Sequence, residues 1–90
     1  MREFEIEEKL KKTLSKLSKK DNNRYSIIIK KIEEILNSED IEHYKNLNAP
    51  LQGFKRVHID KSFVLLFKHI KQDDSIVFYK LEHHDKVYLI

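Results

Sequence analysis

The chain predicts an α+β fold: an N-terminal helix hairpin packed on one face of an antiparallel sheet, in the order β-α-α-β-β-β, followed by one short C-terminal element. Three observations predict it. Apolar residues recur at helical spacing up to about residue 37 and at strand spacing after residue 53. The single Pro and the single Gly among 90 residues, Pro50 and Gly53, lie three positions apart and mark one strong break in the chain. Beyond that break, three apolar runs are separated by the compact polar turns Asp60-Lys61 and Lys71-Gln72-Asp73-Asp74, which is the signature of a meander.

Phe4 and Ile6 alternate with acids, which suits a short first strand; the alternative is a helix that starts near Arg2. Leu10, Leu14 and Leu17 with intervening Lys predict an amphipathic helix over about 8–19. Asp21-Asn22-Asn23 stops that helix and caps the next, over about 22–37, whose apolar face carries Tyr25, Ile28, Ile29, Ile32, Ile35 and Leu36. So short a link makes the two helices an antiparallel hairpin. Residues 38–53 read as a polar connection with a turn of helix around Ile41–Tyr44. Strands follow over about 54–60, 62–70 and 75–82, and Val87-Tyr88-Leu89-Ile90 reads as either a further strand or a terminal helical turn.

The size allows one domain and one modest core, with 40% apolar residues. Stability should therefore be marginal and sensitive to a bound partner. The chain has no Cys, which excludes disulfides and thiolate chemistry. No apolar run reaches the roughly 20 residues of a membrane helix, and Met1-Arg2-Glu3-Phe4-Glu5 lacks the apolar stretch of a signal peptide. The expectation is a cytoplasmic protein with no membrane contact. The net charge of +3 permits nucleic-acid binding without demanding it. Lys and Arg number 10 against 7 acids in residues 1–38 and 8 against 8 in residues 39–90, so any phosphate affinity of the second half must come from local placement.

Side chains alternate along a strand. The expected arrangement puts Val57, Ile59, Val77, Tyr79 and Leu81 against the helices and leaves Arg56, His58 and Lys80 on an open face. A one-residue slip would invert this assignment. The middle strand, Phe63-Val64-Leu65-Leu66-Phe67, is apolar on both sides, as a central strand should be. Basic residues and histidines thus gather on the sheet and just beyond it, in Glu82-His83-His84-Asp85-Lys86. That inventory can grip a phosphate and move a proton near neutral pH.

Several short motifs occur in a telling order: Pro50-Leu51-Gln52-Gly53, then Phe54-Lys55-Arg56, then His58, a strand rich in Leu and Phe, and His84 four residues before Tyr88. With the element order, this resembles the RelE/ParE toxin superfamily, and within it the YafQ-like RelE-type mRNA interferases. The resemblance covers nearly the whole chain, although residues 1–47 match in pattern only. It implies a RelE-like fold and the toxin of a type II toxin–antitoxin system. The expected activity is that of a ribosome-dependent endoribonuclease that cuts mRNA in the A site, needs no cofactor, and is blocked in a hetero-oligomer with a cognate antitoxin.

By the same resemblance, the strand histidine falls on His58, the last-strand cation on Lys80, the C-terminal histidine on His84 and the terminal aromatic on Tyr88. The sequence departs from the pattern in three ways. The acidic residue beyond the strand histidine has only Asp60, or less well Ser62, as a candidate. Lys80 replaces an Arg and lacks its bidentate fork. The C-terminal His is doubled by His83.

Cleavage by 2′-OH attack needs a base, an acid and cations. His58 and His84 are the candidate base and acid, in either order. Arg56 and Lys80 would stabilise the transition state, and Tyr88 would stack on a base. Lys55, His83 and Lys86 are candidate RNA-steering groups. The His-His-Asp run at 83–85 is a poor metal site, because adjacent residues on extended backbone point apart. Lys9, Lys11, Lys12, Lys16, Lys19 and Lys20 read as the solvated face of a helix or, more sharply, as a ribosomal RNA contact. A ParE-like toxin that binds DNA gyrase, or an inactive relic that binds only antitoxin, would make the histidines incidental.

Overall fold

A computed structural model describes residues 1–47 and 53–87. Its elements are β1 (Phe4–Ile6), α1 (Glu8–Lys20), α2 (Asn22–Asn37), a 3-10 turn (Ile41–His43), β2 (Lys45–Asn46), β3 (Lys55–His58), β4 (Phe63–Ile70), β5 (Ser75–His83) and α3 (His84–Val87). The helix hairpin turns on Asp21 alone, whose carboxylate accepts the backbone N–H of Arg24 at 3.2 Å and caps α2. The α1 lysines named above are all exposed.

The sheet order is β1-β5-β4-β3-β2. β1 runs parallel to β5, and every other pairing is antiparallel. Phe4–Ile6 is therefore a strand, and it docks at the far edge of the sheet from β2. Within the expected polar connection, Lys45 and Asn46 form the two-residue β2 against β3, which no periodicity could announce. The C-terminal element begins as a helical turn at His84; residues 88–90 lie outside the described residues.

Leu10 and Leu14 of α1 and Ile28, Ile32, Ile35 and Leu36 of α2 bury against Ile59, Leu65, Phe67, Ile76 and Phe78 of the sheet side. Each such side chain contributes roughly 1.5–3 kcal/mol on removal from water. Val57, Ile59 and Leu81 face the helices as expected, but Val77 and Tyr79 do not. Their places are taken by Ile76 and Phe78, both fully buried. The reason is a bulge: Leu66 pairs with Lys80 while Phe67 pairs with Phe78, which leaves Tyr79 as an extra residue. The bulge resets the alternation, so Phe78 and Leu81, three apart, share the helix side. Tyr79 is turned outward and is 38% exposed.

The other sheet face has a small apolar floor, Val64 and Leu66, covered at one edge by Leu47. The remainder of that face is where the polar side chains stand.

Candidate functional site: the open face of the sheet

Strand pairing arranges the open face in rows. His58 lies opposite Val64, which lies opposite Glu82; Arg56 lies opposite Leu66, which lies opposite Lys80. The apolar floor thus separates a cation and a histidine on β3 from a cation and a carboxylate on β5. The expected sharing of one face by Arg56, His58 and Lys80 follows from this register.

His84 reaches the same face from α3. Its backbone N–H donates to the Ser62 carbonyl at 2.7 Å, which pins the start of α3 to the β3–β4 turn. That turn is itself held by Asp60, whose Oδ1 accepts the backbone N–H groups of Ser62 at 2.8 Å and Phe63 at 3.0 Å. The outcome is a pair of imidazoles with centroids 5.4 Å apart and planes 30° from parallel, His58 over His84.

Arg56 Nη1 lies 3.2 Å from His58 Nε2. A guanidinium has no acceptor, so His58 must accept here, which requires the neutral ring with its proton on Nδ1. Electrostatics agree: desolvation first, then the charges of Arg56, His84 and Lys45, push the His58 proton affinity below the ordinary histidine value. Lys45, on β2 beside Arg56, was not legible as a site residue because its strand was not.

Glu82 was likewise missed. Its carboxylate meets Lys80 Nζ at 3.2 Å. Burial alone would raise it, but the His83 backbone N–H, Lys80 and the charge of Lys86 hold it below the usual carboxylate range. The signal was available: Lys80 and Glu82 are two apart on one strand and must share a face. Lys86 is exposed on α3 and close enough to act on Glu82. Tyr88 lies outside the described residues.

Position sets three candidate residues apart from the His58–His84 group. Lys55 does not face solvent with Arg56. It is 4% exposed, and its Nζ donates to the Tyr44 carbonyl at 3.3 Å and to Asn46 Oδ1 at 2.9 Å, with Glu42 at 3.5 Å. It fastens β3 to the preceding segment. His83 alternates away from His84 and stacks edge-on against Phe63 at 5.5 Å, on the helix side, where Arg24 covers the other ring contact at 4.6 Å. Asp60 is not an open-face acid: its Oδ2 accepts from Arg24 Nε at 3.0 Å. Burial would raise the Asp60 carboxyl, but the Ser62, Arg24 and Phe63 hydrogen bonds together hold it low. Among the described residues, no cluster of three or more His, Asp or Glu is placed to hold a metal ion, and no helix is long and apolar enough to cross a membrane.

A helix hairpin beneath a five-strand, mostly antiparallel sheet is the RelE-like fold. Solved structures share it. A metal-bound toxin from Helicobacter pylori superposes with a TM-score of 0.73 at 21% identity, over 96% of this chain and 98% of that one. A chain of the Escherichia coli DinJ-YafQ toxin–antitoxin complex gives a TM-score of 0.62 at 18% identity, over 97% of each chain. At such identities these likenesses show the fold alone. No family model matches the chain. A Methanocaldococcus jannaschii protein named "Putative toxin RelE4" is 49% identical over 88 residues, covering 98% of this chain and 92% of its own length. The chain belongs to the RelE family of toxins, and is a RelE-type toxin of the type II toxin–antitoxin class.

Proposed function

We propose that the chain is a ribosome-dependent endoribonuclease that cuts mRNA in the A site and is restrained by a cognate antitoxin. The observation that carries this is the His58–His84 pair with Arg56 on the open face. The family supplies the frame, and these three side chains supply the chemistry.

The RNA 2′-OH attacks the adjacent phosphorus, and the bond from phosphorus to the 5′-oxygen breaks. Arriving phosphate draws the Arg56 guanidinium from His58 Nε2, because a phosphate oxygen is the stronger acceptor. The freed Nε2 then takes the 2′-OH proton. A histidine whose proton affinity is lowered stays neutral at physiological pH, which suits His58 to be the base. His84, beside it, returns a proton to the leaving 5′-oxygen. Arg56 and Lys80 flank the phosphorane-like transition state, with Glu82 holding Lys80 in place. Lys86 and Lys45 draw the RNA backbone toward the face, and Tyr88 stacks on a base. The chemistry needs a base, an acid and cations, and it runs without a metal.

The DinJ-YafQ pairing supports an antitoxin as the partner. A small acidic protein would suit the basic chain, in a hetero-oligomer that covers the open face. Ribosomes as the site of action place the toxin in the cytoplasm.

Toeprinting on translating ribosomes, with wild type and His84→Ala, tests the proposal. Cleavage in the A site that vanishes in the variant is the expected result. No cleavage by the wild type, on ribosomes or free RNA, would overturn it and turn attention to inhibition of DNA gyrase.

A further inference from the structure

The bulge in β5 has a consequence beyond the core. Because Tyr79 is the extra residue, it leaves the helix side and meets Phe54 on the open face, with ring centroids 4.9 Å apart at 45°. Phe54 directly precedes β3 and Lys55, and its ring carries Lys68 Nζ at 5.7 Å. The Tyr79 ring carries Lys80 Nζ at 5.8 Å. Two aromatic rings and two cations thus form one patch on the side of Arg56 away from His58. Bulges recur beside functional sites because they re-aim one side chain. A tyrosine at 38% exposure in a sheet with few core residues to spare is such a case.

Position fixes what the patch could meet. Along β3, Phe54, Arg56 and His58 are separated by two residues each, so the patch lies about 13 Å from His58 at the ~3.3 Å rise per residue of a strand. Aromatic faces accept any base, and flanking ammonium groups attract the phosphates on either side. An acidic antitoxin segment on this face would meet the same rings and lysines, and the last arm of the test below separates it from RNA.

We infer that Phe54 and Tyr79, with Lys68 and Lys80, form a stacking platform for an unpaired RNA base adjacent to the cleaved linkage, so that binding one base there sets the phosphate over Arg56 and His58. This rests on the ribonuclease reading above. Tyr79 is a positioning residue: it touches the base beside the reaction and not the reacting atoms.

The test uses an RNA with a single 2′-deoxy substitution at the cleavage site, which blocks attack, and 2-aminopurine placed in turn at each flanking position. The probe is presented free and on programmed ribosomes. Stacking quenches its fluorescence. Wild type should quench at one flanking position, and Tyr79→Phe should keep that quench. Tyr79→Ala should lose it, with half-saturation for cleavable RNA raised about tenfold, the scale of one base–aromatic stack, and the saturated rate within about twofold. Thermal melts check that the exposed Tyr79 can be replaced without unfolding. An unchanged quench and half-saturation in Tyr79→Ala, alongside normal wild-type cleavage, would overturn the platform and leave the ribonuclease reading standing. Absence of binding and cleavage by wild type would overturn both. If Tyr79→Ala loses affinity only for the antitoxin protein, the platform is a protein contact and the inference falls.

Discussion

His58 and His69 lie on neighbouring strands of one sheet, each beside cations, yet their surroundings differ in sign. Desolvation, then the charges of Arg56, His84 and Lys45, lower the proton affinity of His58. At the opposite corner, His69 Nε2 stands 2.7 Å from Asp74 Oδ1, which also accepts from Arg2 Nε at 2.9 Å. His69 Nδ1 lies 3.9 Å from Glu42, and the same carboxylate meets Lys55 at 3.5 Å and Lys71 at 3.7 Å. In that corner each cation has a carboxylate, and the network ties β1, β4 and the segment before β2 together. Around His58, cations crowd a neutral imidazole. One histidine meets a carboxylate at hydrogen-bond distance, and the other meets a guanidinium. Residue type alone does not separate these two histidines; the charged groups beside each ring do.

The largest effect that could break this comparison is catalytic. His58→Ala and His84→Ala should each lower ribosome-dependent cleavage by about 10²–10⁴-fold, the usual contribution of a positioned acid or base, and leave the thermal midpoint close to wild type. His69→Ala should do the reverse, keeping cleavage and lowering the midpoint. Primer-extension rates and thermal melts on the three proteins decide it. Equal loss of cleavage in all three would show that the two corners do not divide the work as proposed.

Next in size is a contrast between sequence neighbours. Lys55→Ala strands the Tyr44 carbonyl and Asn46 side chain and should cost about 1–3 kcal/mol. For a domain of this size, each kcal/mol lowers the midpoint by roughly 4–8 °C. Arg56→Ala should leave the midpoint nearly unchanged and reduce cleavage, with the larger effect on the saturated rate if Arg56 acts in the transition state. Denaturant or thermal melts paired with steady-state cleavage separate the two. A stable Lys55→Ala that binds RNA poorly would restore the steering role that burial argues against.

Lys55 also shows where sequence reasoning reached its limit. Alternation places Lys55 and Arg56 on opposite faces, but only the two-residue β2 and the 3-10 turn before it reveal that the Lys55 face is closed by Glu42, Tyr44 and Asn46. Strands that short leave no period to read. The helix hairpin, the meander and the open-face position of Arg56, His58 and Lys80 were legible, because 3.6- and 2-residue periods are long-range regularities. The bulge was not, since Ile76-Val77-Phe78-Tyr79 is apolar at every position and alternation has no purchase on it. Glu82 was legible from its spacing to Lys80, because residues two apart on one strand share a face. The approach of His84 to His58 could be anticipated only from the family resemblance, as it depends on the backbone bond from His84 to Ser62.

The smallest effect is in pH dependence, and it separates the two corners by direction. His58 has a lowered proton affinity, so the acid limb of the cleavage profile should lie below the ordinary histidine value, where His58 finally protonates and ceases to be a base. Arg56→Gln removes one repelling charge and should move that limb upward while desolvation still holds it down in part. In the opposite corner Lys55, then Lys71, lowers Glu42, and hydrogen bonds from Arg2 and His69 lower Asp74. Folded carboxyls with lowered values stabilise the protein above the unfolded carboxylate range, and this is lost as pH falls through the folded values. His58 acts in the same direction but higher on the scale: the unfolded chain binds its proton first, so stability begins to slip as pH drops through the ordinary histidine range. Melts from pH 8 to pH 3 should therefore show a slight early decline, abolished in His58→Gln, followed by a steeper one at carboxylate pH, reduced in Asp74→Asn. An early decline that persists in His58→Gln would mean that another group produces it, and the contrast between the two corners would lose its electrostatic basis.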